Sequence, residues 1–522
     1  MSDNDAHSEL QAVVESTPVD QRKPQSTSKG GKEDKGSTHS SVTVQQVTES
    51  VIPVDKNEEA IANAQDDWEN DPDNPWNWPA RKKWTMVSIV SLYTFTPPLA
   101  SSMLAPGLSK IAEQYGITST TTTALVLSIF LLSFAIGPLV LAALSEIYGR
   151  TWILHAGALF SIAFSFGCAY APNTGALLAF RFLAGFSGSA PIAIGGGSVS
   201  DLFSAKDRAS AMAIYSLGPL IGPAVGPVAG GFIAESIGEK YVFVIIGALG
   251  AVSMVIGVPF LRETYAPIIR QRRALADGDP EKAKVLRGPM GNMSRSQYIL
   301  ANLIRPPMLL FGSLICFLLS SYMAFLYGIY YLMFATFPQI FNETYGFDVG
   351  IGGLVYLGLG IGFLLATWVG AKWADQTYHY LIKRNGGVGK PEMRIPALIF
   401  GSFFVPVGLF WYGWSAQAKV HWIMPIIGTG IFGFGLMTAY LPIQLYLVDT
   451  FTYAASAVAA ASVFRSLFGF AFPLFADQMF AAMGVGGGNS FLAGMAIVLG
   501  VPFPIWLYFN GEKMRARSKL AR

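Results

Sequence analysis

Two arginines stand where a cation is expensive: Arg181 and Arg465 each fall inside a long apolar stretch. A cation there needs a partner or a water-filled cavity, so the chemistry open to it is ion pairing, anion binding or a part in proton transfer. Arg181, in Arg181-Phe-Leu-Ala-Gly185, lies one or two turns from a predicted outer surface, and snorkelling to that surface is the competing reading. Arg465 can hold an anionic ligand, or pair with a helix C-terminus or Asp449 and serve assembly alone. The carboxylates Glu146, Asp201, Asp375 and Asp449 all fall at or beyond the ends of apolar stretches, and Asp477 lies near the outer end of another. A carboxylate at mid-stretch would be the usual titrating group of a proton-coupled device. Its absence leaves two options: Arg181 working with an end acid such as Asp201, or no coupling.

Tyr322, Tyr327, Tyr330 and Tyr331 cluster in one stretch, and Tyr440 with Gln444 in another. Rings carrying hydroxyls suit an amphipathic organic ligand, though each tyrosine alone also fits interhelical packing. No His-Glu-x-x-His run and no cluster of His, Cys and acid occurs, and His155 is isolated; no enzyme, metal site or cofactor is expected. Cys168 and Cys316 read as small buried hydrophobes rather than a disulfide. No basic surface interleaved with aromatics suggests nucleic acid. Gly195, Gly196 and Gly197 lie within an apolar stretch, not in the strand-to-helix turn that a phosphate loop requires.

These residues must be positioned by membrane helices. Of 522 residues, 52% are hydrophobic and 13% charged, which excludes an ordinary soluble protein. A span needs roughly 20 apolar residues, and twelve are predicted: about 84–105, 121–144, 152–170, 175–200, 209–234, 241–261, 309–336, 350–371, 395–414, 421–447, 455–481 and 490–509. The fold expected is all-α, two bundles of six helices (76–261 and 309–509) joined by a linker, 262–308. Basic residues gather before the first span, in the linker, between spans eight and nine, and in the 510–522 tail, whereas the alternate loops hold only Lys110, Lys240 and Lys419. By the retention of Lys and Arg inside, both termini and the linker are cytoplasmic. Residues 1–75 are polar and read as a disordered cytoplasmic tail, with no cleaved signal ahead of the first span. Asn342-Glu-Thr344 is the sequon expected in an outside loop; Asn292-Met-Ser294 falls on the inside.

The fifth span carries Gly218-Pro219, Gly222-Pro223, Gly226-Pro227 and Gly230 at four-residue spacing. That puts the glycines on one helix face as a strip for backbone-to-backbone packing, and a membrane bundle tolerates the prolines because neighbours satisfy the freed carbonyls. After span two come Glu146, Gly149 and Arg150, and after span eight comes Asp375. An acid near a helix end, a glycine turn and a base make a latch that pairs in one conformation and releases in another.

The fifth-span pattern resembles the antiporter signature of exporters in the major facilitator superfamily. Gly137-Pro-Leu through Arg150 resembles that family's loop signature in its fungal drug:proton antiporter branch, with Ala142 where glycine is usual and Thr151 where a second base is usual. The Arg181 segment is similar to a signature associated with proton transfer. Asp71-Pro-Asp-Asn-Pro-Trp-Asn-Trp-Pro79 and Tyr446 through Ser466 look like further segments of the same branch. The resemblance implies an exporter of small organic molecules, drugs or secondary metabolites, exchanging them for protons as a monomer in the plasma membrane, or in a vacuolar membrane. A facilitator or an importer of an organic acid or other nutrient is the alternative.

Overall fold

The computed structural model describes residues 68–203, 207–286 and 293–517. The expectation for the N-terminal tail lies mostly outside these, and so does the Asn292 sequon. Among the described residues the spans follow one another as Ala80–Ser102, Thr120–Tyr148, Arg150–Ala169, Thr174–Leu202, Arg208–Ser236, Lys240–Phe260, Leu314–Tyr345, Val349–Arg384, Ile395–Gln417, Ile423–Thr450, and an eleventh apolar stretch, Ala454–Ala516, that is long enough for two. These two are nearly continuous. A single helix from Ala454 to Gly500, 47 residues, would run about 70 Å at 1.5 Å per residue, more than twice a hydrocarbon core. Gly484, at φ 71° and ψ 166°, breaks it into spans eleven and twelve.

Among the described residues the elements are helices and turns. In the first half, span one packs on span five, span three on span six, and span two on span four; in the second, span nine packs on ten, eight on ten, and seven on eleven. The halves meet where span two lies along span eleven and span five along span eight. Between lipid-bathed helices, close approach and dispersion replace the hydrophobic driving force, and the contacts are accordingly made by glycine: a Cβ on Gly408 would sit 2.7 Å from the Phe432 Cα, and one on Gly428 2.6 Å from the Tyr412 amide nitrogen.

Three departures from the sequence expectation bear on the site. Span seven begins at Leu314 and runs on to Tyr345, so Asn342 lies in the final helical turn and not in a loop. Span eight continues beyond 371 to Arg384 through a π-helical stretch, Ala366–Gly370; Asp375 is therefore on a helix, because charged residues emerging into water can still complete helical hydrogen bonds. The linker folds into helices Ala266–Ala276, Pro280–Val285 and Arg295–Gly312. The third opens on a capping box, Ser294 with Gln297, and ends one residue before span seven.

Candidate functional site

On the basic face, the turn between spans two and three is built around Gly149, whose φ of 105° favours glycine and where a Cβ would collide with the Glu263 carboxylate. Glu263 follows span six and accepts from the first backbone amides of span three, Arg150 N at 2.9 Å and Thr151 N at 3.4 Å. A carboxylate there satisfies orphan N–H groups and opposes the positive end of the helix dipole. The Arg150 side chain donates from Nε to Asp201 at 2.9 Å and from Nη1 to Ser145 at 3.2 Å, and lies over the Tyr265 ring. Thr264 also donates to Asp201, at 3.2 Å. Glu146 accepts from the Tyr298 hydroxyl of the third linker helix; burial and the nearby carboxylate both raise the Tyr298 phenol above its ordinary value, which keeps the proton on the donor. Glu146, Gly149 and Arg150 thus come together, with Asp201 as the ion-pair partner of Arg150. Glu263 and Tyr298 were missed by sequence reasoning, since Arg262-Glu263-Thr264 reads as solvated loop charge.

The second half has its own version, though not through Asp375. That residue is exposed, and no described ion pair includes it. The acid that pairs is Asp449 at the end of span ten, 2.6 Å from Arg394 Nε at the start of span nine. This matches Arg150 at the start of span three and Asp201 near the end of span four. Beside it, Arg515 Nε and Nη2 reach the Glu392 carboxylate at 2.8 and 3.0 Å.

Arg181 is 2% exposed and, among the described residues, has no acid paired with it. Its guanidinium spreads over three carbonyls: Nε to Val126 O at 3.2 Å, Nη1 to Ala100 O at 3.2 Å and Nη2 to Leu127 O at 3.5 Å. Ala100 is in the last turn of span one, whose carbonyls lack helical partners. Phe130 lies beneath it, 4.8 Å from ring centroid to Cζ. Asp201 is at the other end of span four, about 30 Å along the helix and bound to Arg150, so the proposed cooperation of Arg181 with Asp201 has no direct contact behind it.

The other embedded cation is placed differently. Arg465 is about 16 Å into span eleven by helical rise. It donates from Nη1 to the Tyr440 hydroxyl at 2.5 Å and stacks its guanidinium 4.6 Å from the Tyr327 centroid. Gln444 donates to the same Tyr440 oxygen at 2.7 Å. Tyr327, Tyr330 and Tyr331 form a mutual aromatic cluster, with centroids 5.0 to 5.8 Å apart. Tyr331 reaches across the halves to Ser101 at 2.9 Å. The tyrosines, Gln444 and Arg465 singled out in the sequence therefore share one site; Tyr322 stands apart, its ring against Gly500.

The glycine strip of span five packs on span one, within its own half. A Cβ on Gly218 would lie 3.1 Å from Phe95 N, on Gly222 3.0 Å from Leu99 N, on Gly226 3.0 Å from Leu99 O, and on Gly230 would overlap Met103 O. A second strip on the same helix faces span eight: a Cβ on Gly231 would come 2.7 Å from Val349 O, on Gly353 2.6 Å from Pro227 O, and on Gly360 2.8 Å from Ala224 Cβ. Gly350, Gly353 and Gly360, three and seven residues apart, carried that signal within the glycine-rich stretch 350–362. Here Glu235 accepts from Gly350 N at 2.8 Å, and Gln478 of span eleven meets Thr121 of span two at 2.8 Å. These inter-half bonds and the Ser101–Tyr331 bond lie on the far side, away from the basic face. A cleft of about 340 Å³ also opens there, lined among others by Thr120, Asn342, Glu343, Asp348 and Asp477; none of the Arg465 group lines it. Asn342 is exposed and donates to Phe347 O at 3.0 Å.

Comparison with known proteins places this architecture. The model of the Major Facilitator Superfamily matches residues 90–473. The chain is 44% identical over 468 residues to the efflux pump vrtL of Penicillium aethiopicum, covering 87% of this chain and 90% of that one. It is 40% identical over 467 residues to the efflux pump radE of Floropilus chiversii, covering 87% and 85%. The solved xylose transporter XylE of E. coli, in a partially occluded inward-open conformation, superposes with a TM-score of 0.60 at 14% identity, covering 82% of this chain and 99% of that one. The chain belongs to the major facilitator superfamily, and it is a multi-pass membrane transporter rather than an enzyme.

Proposed function

We propose that this member of the major facilitator superfamily exports small organic molecules from the cytoplasm in exchange for protons, by alternating access. The observation that carries the reading is the location of the inter-half bonds: Glu235–Gly350, Thr121–Gln478 and Ser101–Tyr331 close the far side, with the Arg465 and tyrosine group between them and the basic face. With the basic face cytoplasmic, this is the conformation in which an exporter collects its cargo. Relatives at 40% and 44% identity are efflux pumps, which favours the outward direction.

Rocking requires contacts that break and re-form. The Arg150–Asp201 and Arg394–Asp449 pairs, each joining two helices at equivalent places in the two halves, serve as latches of the basic face, while Glu146–Tyr298 ties the linker to the first half. For the proton, the geometry favours Asp201 over Arg181: it is a carboxylate at the latch, whereas Arg181 is held by carbonyls alone. The cargo is an amphipathic organic molecule held by the tyrosines, and the protein acts as a monomer in the plasma membrane. The lack of an acid at mid-span supports a second reading, a facilitator without protons.

Inside-out vesicles from an expressing strain, loaded by an imposed pH gradient and screened against drugs, weak organic acids and polyamines, test the proposal. Uptake that collapses with a proton uncoupler is expected. Uptake indifferent to the uncoupler supports the facilitator, and uptake confined to right-side-out vesicles contradicts export.

A further inference from the structure

The two arginines within the spans differ in one respect that points to the cargo. Arg181 uses all three of its nitrogens on carbonyls. Arg465 donates from Nη1 to Tyr440, but its buried Nε finds no acceptor among the described residues. Asp449, the acid that sequence reasoning offered as its partner, is bound to Arg394, and the described ion pairs leave Arg465 out. Tyr440 adds a donor of its own. Its oxygen already accepts from Arg465 and Gln444, which fills both lone pairs and leaves its O–H free to donate. A guanidinium with an open N–H, a phenol O–H beside it and flanking aromatic faces form a donor set for one anionic group attached to a ring.

We propose that Arg465 and Tyr440 select the cargo for a single negative charge, so that the exported molecules are aromatic or otherwise flat organic monoanions such as carboxylates or ionised enols. The proposal rests on reading the Tyr327–Tyr330–Tyr440 group as the cargo site. A charge sequestered among apolar helices is costly unless it is compensated, and a monoanion compensates Arg465 while a neutral or cationic cargo does not. Charge-assisted hydrogen bonds exceed neutral ones enough to separate an acid from its amide by about tenfold or more.

The test is equilibrium binding to the purified full chain in detergent, which is independent of transport direction, with 1-naphthoate, its neutral amide and 1-naphthylmethylammonium as probes. In the wild-type protein the acid should bind at least about tenfold more tightly than the amide, and the ammonium weakest. Arg465→Gln should equalise acid and amide; Arg465→Lys, which keeps a charge without the fork, should keep part of the preference and covers the case in which the glutamine variant does not fold. Tyr330→Ala should weaken acid and amide together. Equal affinity for acid and amide in the wild type, or an undiminished preference in Arg465→Gln, overturns the monoanion assignment; if Tyr330→Ala still weakens both probes, the site stands and only the charge class falls. Binding of none of the probes, or binding indifferent to Tyr330→Ala, overturns the site and the proposal with it.

Discussion

Arg181 and Arg465 are each a lone base in an apolar run, and each had a bland reading beside the functional one. Their surroundings separate them, because satisfaction of donors depends on carbonyls and hydroxyls from other helices. For Arg181 the fork geometry is the role. Lysine carries its charge at one point and cannot reach carbonyls of two spans at once, so Arg181→Lys should lose one or two charge-assisted bonds, about 2 to 4 kcal/mol, seen as a lowered melting temperature of the purified protein. A lysine variant as stable as the wild type contradicts the clamp. At the basic face, Gly149→Ala forces a side chain into positive φ, at about 1 to 2 kcal/mol, and pushes on Glu263. It should lower the melting temperature and weaken transport together, while Asp375→Asn, at an exposed acid without an ion pair, should leave both within error.

Among the elements, span five has two small-residue faces with different tasks, and one of them was legible in the sequence. Its Gly-Pro pattern reads as a packing strip, and in the structure that strip lies on span one; which helix it meets is a matter of bundle geometry, and the glycines of span eight that meet its other face were not paired with it. The two faces predict different failures. Gly226→Leu wedges span one from span five inside one half and should reduce folded protein at the membrane. Gly353→Leu blocks only the closure of span eight onto span five; it should fold, and should leave a cysteine placed at Asp348 more reactive than in the wild-type background, where Cys168 and Cys316 are buried. Equal folding loss in both variants contradicts the division. The segment before span one is a further element with a task. In the structure Asp71 binds Arg273 of the first linker helix at 2.5 Å and Trp68 lies by Arg270. The Asp73 backbone amide first, and then Arg273, hold the Asp71 carboxyl below its ordinary value of 3.8. A lowered carboxylate stabilises above its unfolded value and loses that contribution as pH falls through the folded one, so the clamp should persist from neutral pH to about 4. Asp71→Asn should raise hydrogen exchange across residues 266–276 at neutral pH, and unchanged exchange contradicts the clamp.

For the whole molecule, the number of spans, their grouping by six and the basic face were legible, because hydropathy and charge retention are properties of the chain alone. What was not legible depends on where helices end and meet: the extension of span eight that carries Asp375 into an exposed helix, the helical position of Asn342, the three linker helices, and the Arg394–Asp449 pair that stands where an Asp375 latch was expected. The central claim is that the far side opens as the basic side closes. Spin labels at Ser236 and Asp348 report the far gate, and labels at Ser210 and Gln376 report the basic gate; all four positions are exposed. Pulsed electron resonance on the two pairs, in the same lipid, before and after lowering the pH and adding a transported molecule, measures the claim directly. The account predicts a far pair that is short at rest and lengthens as the basic pair shortens; distances that stay fixed, or change in the same sense, while transport proceeds would contradict it.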